Sequence, residues 1–416
     1  MRADAMTADA MTADKTRRRH TRIVLTVTGV AIAGLAMTGC GSGRSPVRGG
    51  TIAVSGRSPV ASARAGPAAL LRAGGGAVAP EPRYFADIVR TAGSVAGSGP
   101  VQIRSAATGA LVSRPAGLDA LAIAPLGRGR LLLARQIGDA CASQLFAARI
   151  GARGRLGSLH RVAGVIKGLV TAVAANTSGS VIGFFSGPCA KSSATGYLAV
   201  VHVSSGQIGF WSGVAVLGSG GSVGAGGNLS VSPSGRSVAF SGFSLTAGGM
   251  VTGQRVWVLS VSAPSGPLLK RARAIVSMPR SGPALGDAVL IAGGRTVAVC
   301  TVTTHGTVSA KRAVTQTVAI TARRAADGAF LGLVASLTAT DVTFLGQDFG
   351  CSLAVAAGGG YLLVPYSARY GASTESPVLV TAARIRLATG QVARFSFRLP
   401  GSAGPNGQAT GISVAW

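Results

Sequence analysis

The chain has 416 residues, 47% of them hydrophobic, and carries 40 Lys and Arg against 12 Asp and Glu, a formal net charge of +28. That apolar content excludes an intrinsically disordered chain and suffices for one large or two ordinary domains. The basic residues are scattered, without dense runs interleaved with aromatics, which argues against a nucleic-acid binder.

Residues 1–14, MRADAMTADAMTAD, form a short duplication with three methionines, and initiation at Met11 would give a signal segment of more ordinary length. Residues 15–40, KTRRRHTRIVLTVTGVAIAGLAMTGC, place a cationic stretch before an uncharged apolar run that ends in Met37-Thr38-Gly39-Cys40. That order is an export signal closing on a small residue before a cysteine. It resembles a bacterial lipobox, with Met37 in place of the usual leucine. The resemblance implies a signal peptide over 1–39, acylation of Cys40, and attachment to the outer face of the cytoplasmic membrane. The mature chain would keep 34 basic and 9 acidic residues. Residues 40–80 read as a lipidated N-terminus followed by a disordered Gly/Ala/Ser/Pro/Arg linker, about 35 Å from end to end.

From residue 81 onward the pattern is repetitive. LSVSPSGRSVAFS (229–241) is a strand, a tight turn and a second apolar strand. The same shape recurs over 120–134, 170–185, 288–300 and 353–366. Each copy is followed by two more strands joined at a glycine. With one further unit at the start, those glycines are Gly109, Gly154, Gly206, Gly266, Gly328 and Gly390, spaced 45, 52, 60, 62 and 62 residues apart. Hairpin turns need positive φ, which glycine adopts without strain. Four short strands per unit at this period predict an all-β, six-bladed β-propeller over 81–416, with no sustained helix. Long uncharged stretches are broken by turn residues, so the body reads as soluble and not as a bundle of membrane helices.

The first unit begins directly at PRYFADIV (82–89) and lacks its innermost strand, while GISVAW (411–416) is a strand with no partners of its own. Insertion of Ile412–Trp416 into the first blade would close the ring and remove the open sheet edge. SVSPSGRSVAFSG (230–242) resembles the repeat core of WD40-like and TolB-type propellers, without the Trp-Asp dipeptide. Residues 82–416 and the lipobox together resemble secreted propellers of high-GC actinobacteria. The resemblance implies a fold and no particular activity.

Beyond Cys40 the chain holds Cys141, Cys189, Cys300 and Cys351, an even number that in an exported protein reads as two disulfides with three possible pairings. The sequential pairing, Cys141–Cys189 and Cys300–Cys351, closes loops of similar length, each contributing roughly 4 kcal/mol. Asp119 and Asp287 precede innermost strands, and Asp341 and Asp348 lie before the last blade, so the four could ring one channel mouth. Pairing with turn N–H groups or arginines is the preferred reading, and no metal or cofactor is expected. His160, His202 and His305 are isolated, and His202 sits in an apolar strand. Ser222 fits the letters of a G-x-S-x-G elbow but lies in a glycine-rich loop that opens no helix. Lys270-Arg271-Ala272-Arg273 reads as a solvated outermost strand edge.

These features together predict an envelope-anchored binding or scaffolding propeller that is not an enzyme. Its partners would be the membrane through its anchor and an anionic envelope polymer or another protein. A propeller hydrolase or lyase with its site at the channel mouth comes second, and a sensory ectodomain third.

Overall fold

A computed structural model describes residues 81–416 apart from 92–97, 128, 139–140, 189–195, 216–222, 246–250, 280–281, 306–313, 343–350, 370–376 and 400–408. The signal segment, Cys40, the linker, Cys189, Ser222 and Asp348 lie outside the described residues, as does the side chain of Asp341.

The described chain is a six-bladed β-propeller. Each blade is an antiparallel meander of four principal strands running from the channel outward. Blade 2, for example, orders Ala122–Pro125, Arg130–Gln136, Ala142–Arg149 and His160–Arg161. The other innermost strands are Leu169–Ala175, Val223–Val231, Ala284–Ile291, Ala354–Val355 and, for blade 1, Ala409–Ala415. Blades 3 and 4 are also joined edge to edge by a parallel pairing of Val214 with Val223 and Ala215 with Gly224.

The second strands read as continuous apolar runs because both of their faces are buried. In Arg130–Gln136, Leu131 and Leu133 pack with Ile88 and Val101 of blade 1, whereas Leu132 and Ala134 pack with Val170 and Ile182 of blade 3. Six such apolar clusters lie between successive blades, one for each gap.

Ring closure follows the expected route. Ala409–Ala415 pairs antiparallel with Tyr84–Thr91, with Ala86 opposite Ala415 and Ile88 opposite Ser413. The strand starts three residues earlier than Ile412, and Trp416 lies just beyond it. The buried Trp416 ring meets Tyr361 of blade 6 edge-on, with centroids 5.8 Å apart.

All six of these periodic glycines have positive φ, but Gly266 lies in a two-residue strand, Gly266–Pro267, that pairs with Trp211 and Ser212 of blade 3 and not in a hairpin turn. At Gly328 the requirement is double. Its φ is 78°, and a Cβ there would come 2.0 Å from the Ile275 carbonyl oxygen of blade 4. Gly328→Ala is therefore expected to cost more than the roughly 1–3 kcal/mol of positive-φ strain, since backbone must also move. A melting temperature within a degree of wild type would contradict this packing.

Two details differ from the sequence reading. Lys270 and Arg271 do not lie on the outermost strand: Pro267 starts a one-turn helix, Leu268–Arg271, whose Leu268 is buried, and the strand begins at Arg273. Cys300 does not end its strand, which continues from Thr296 to His305.

Candidate functional site

The first-to-second turns of blades 2 to 6 and the third-to-fourth connections of all six lie on one face of the propeller, here called the turn face. A cavity of about 500 Å³ occupies the channel at that end. Every blade lines it from its innermost strand, with Val414, Ile123, Val173, Leu229, Leu290 and Val355 taking blades 1 to 6 in turn. Its polar side chains are Asn176, Thr177 and Ser230, and backbone of the Ala356–Gly360 turn completes the wall. Among the described residues, none that lines it is ionisable.

The polar groups at the rim are held in place by neighbouring blades. Asn176 Oδ1 accepts the Val181 N–H at 3.0 Å, and its Nδ2 donates to Ser180 Oγ at 3.1 Å and to the Pro233 carbonyl of blade 4 at 3.4 Å. Ser230 Oγ of blade 4 accepts the Leu290 N–H of blade 5 at 2.9 Å. Gly127 lets two turns meet: its φ is 77°, and a Cβ would come 2.0 Å from the Thr177 carbonyl oxygen.

Of the anticipated carboxylates, Asp119 and Asp287 lie at the opposite end. Asp287 Oδ2 accepts the Leu353 N–H at 3.0 Å, and the Asp287 N–H donates to the Cys351 carbonyl at 3.0 Å, tying blade 5 to blade 6. Asp119 is exposed in a short strand paired with Gly99 and Pro100, and its carbonyl accepts Arg135 Nε at 3.2 Å. Asp341 ends the outermost strand of blade 5. Among the described residues, no three of His, Cys, Asp and Glu are grouped so as to hold a metal ion.

Cys300 and Cys351 form a disulfide across the core between blades 5 and 6. Cys141 is also disulfide-bonded. His160 and His305 are exposed and His202 is half-buried at the end of its strand. Of these, His305 Nε2 lies 3.2 Å from Thr317 Oγ1.

One charged cluster escaped the sequence reading. Asp87 and Arg104 are fully buried between blades 1 and 6, with Arg104 Nε donating to Asp87 Oδ1 at 2.7 Å. The guanidinium also donates to Gln102 Oε1, to the Gly109 carbonyl at 3.2 Å and to the Arg398 carbonyl at 3.1 Å. It stacks 4.6 Å from the centre of the Phe397 ring. Asp87 Oδ2 is buried without a hydrogen-bond partner. Burial pushes the Asp87 carboxyl up to about 6, against the lowering pull of Arg104. The signal was present in the period-2 pattern of VQIRS: Gln102 and Arg104 share one face of their strand, and Gln102 pairs with Asp87.

No protein-family model matches the chain, and no curated protein matches it in sequence. Solved structures do. A prolyl endopeptidase aligns over 67% of this chain and 49% of its own, at 11% identity and a TM-score of 0.32. A putative 6-phosphogluconolactonase from Bacteroides uniformis aligns over 80% of this chain and all of its own, at 12% identity and a TM-score of 0.40. The β-propeller domain of the Trilobed protease from Pyrococcus furiosus aligns over 54% of this chain and 56% of its own, at 8% identity and a TM-score of 0.30. The chain thus spans about half the length of the two protease chains. Similarity this distant speaks for the fold alone. It nevertheless corrects the expectation that the chain is not an enzyme. Enzymes stand among the structures it resembles, a prolyl endopeptidase and a putative 6-phosphogluconolactonase. The described chain is thus a six-bladed β-propeller, and a β-propeller domain is among the solved structures it resembles.

Proposed function

We propose that the chain is an exported lipoprotein whose propeller acts as a binding module at the outer face of the cytoplasmic membrane, with its ligand seated in the channel mouth on the turn face. The lipobox-like Met37-Thr38-Gly39-Cys40 supports export and anchoring, and the Cys300–Cys351 disulfide fits an oxidising compartment.

The observation that carries the reading is the cavity itself. It is concave, walled by apolar side chains, and furnished with a few oriented polar groups, which is the common form of a small-ligand site. The described lining is apolar with three neutral polar side chains, which favours a largely apolar ligand portion. The same cup would seat a substrate as well as a ligand.

Val355→Trp would fill the mouth from the two-residue innermost strand of blade 6. Full-length wild-type protein exposed to an envelope extract and examined by native mass spectrometry is expected to carry an added mass that Val355→Trp loses, with the melting temperature unchanged. Identical added masses on both proteins would place the ligand elsewhere.

A further inference from the structure

Among the described residues, the turn face carries an excess of exposed positive charge. The turn face exposes Arg83, Arg153, Arg155, Arg236, Arg271 and Arg295, in or beside the turns of blades 1, 2, 4 and 5. Its described acidic residues are Glu81 and Asp327, and both are already ion-paired, Glu81 with Arg384 and Asp327 with Arg324 at 2.8 Å. The remaining described carboxylates are the buried Asp87 and, at the opposite end, Asp119 and Asp287. Asp341 belongs to a strand that ends on that opposite side. A surface with one sign of charge attracts anionic surfaces over about a Debye length.

The chain also enters the propeller on this face. Glu81 precedes Tyr84, which pairs with Ser105 beside the first third-to-fourth turn. The residues joining it to Cys40 have the Gly/Ala/Ser/Pro/Arg composition of a linker. We propose that the turn face docks on the anionic phospholipid headgroups of the membrane that holds the anchor, turning the channel mouth toward the bilayer. This rests on the lipid anchoring proposed above. Tethering raises the effective concentration of the basic face at the bilayer, so that weak charge attraction suffices to orient it. Guanidinium groups suit the partner, because their planar fork bonds phosphate oxygens in pairs.

The test uses the full chain reconstituted into vesicles through its own N-terminal anchor, with a fluorophore at Ser234→Cys on the turn face or at Ala116→Cys on the opposite side. The quencher is a headgroup-labelled lipid. In phosphatidylglycerol vesicles at low salt, the Ser234 probe is expected to be quenched several-fold more than the Ala116 probe. High salt, phosphatidylcholine vesicles, or the triple variant R153Q/R236Q/R271Q should each remove the difference. The triple variant R114Q/K167Q/R255Q, with the same loss of charge away from the turns, should keep it. Equal loss in both triple variants would show an effect of net charge and overturn docking by this face. Equal quenching of the two probes in sedimented vesicles overturns docking while leaving the anchor intact. Protein that remains in the supernatant removes the anchor and the docking with it. Shielding of the Ser234 probe by added poly(glycerol phosphate), without quenching in phosphatidylglycerol vesicles, would assign the face to a wall polymer instead.

Discussion

Deletion of residues 409–416 is expected to abolish the folded ring. These residues supply the innermost strand of blade 1, and their loss strips the pairing partners from Tyr84–Thr91. The deletion also removes Val414, Ala415 and Trp416 from the core, where each is at most 9% exposed. Truncation of a buried Trp alone costs about 3–5 kcal/mol, so Trp416→Ala should consume much of the ~5–15 kcal/mol that stabilises a domain. Its indole Nε1 is buried without a partner, which places the loss nearer the lower figure. The full deletion adds the ladder and leaves the apolar YFADIV edge open to pairing between chains. Urea unfolding and light scattering distinguish the two variants: Trp416→Ala should unfold at markedly lower urea, whereas the deletion should aggregate. A deletion variant that stays monomeric and melts within a few degrees of wild type would mean that the ring is held by something other than this strand.

The closure was legible because it left two marks on the sequence: a first unit with too few strands and a last strand with too many residues to spare. The periodic glycines were legible for a related reason. Gly109, Gly154, Gly206, Gly266, Gly328 and Gly390 must hold positive φ, so the period survives in sequences that otherwise drift. The channel cavity was not legible. It is assembled from one apolar residue per blade, and nothing distinguishes Val173 or Val355 in sequence from residues packed between blades. The carboxylates show the complementary limit. Asp119 does precede an innermost strand, but Asp287 lies within Ala284–Ile291 and spends its Oδ2 on the Leu353 N–H, a partner 66 residues away. The Asp87–Arg104 pair was hidden most thoroughly. Its burial depends on blade 6 reaching blade 1 around the closed ring, so that Arg398 and Phe397 cover a guanidinium 294 residues distant from Arg398.

That pair yields the second large effect. Asp87→Ala would leave Arg104 as a buried cation with no counter-ion, an arrangement that costs about 3–5 kcal/mol. Arg104→Met should cost less, because Asp87 can escape its burial by taking up a proton while a guanidinium cannot release one. The double variant Asp87→Leu/Arg104→Met should recover much of the loss, since an apolar pair leaves no charge to solvate. The pH dependence has a definite sign. The folded carboxyl titrates at about 6, above its ordinary value of 3.8, so folding binds an extra proton between those values. Asp87 therefore adds stability that is fully present below about pH 4 and is lost as pH rises through about 6, an amount of roughly 3 kcal/mol. The exposed Asp327, lowered by the Ala329 N–H and then by Arg324, acts in the opposite sense, but only as pH falls below the ordinary carboxylate value. Across the window from about pH 4 to pH 6, urea unfolding of wild type should show stability declining as pH rises. Asp87→Asn should flatten that slope. A wild-type profile that instead climbs through the window would show that Arg104 outweighs burial and holds Asp87 ionised.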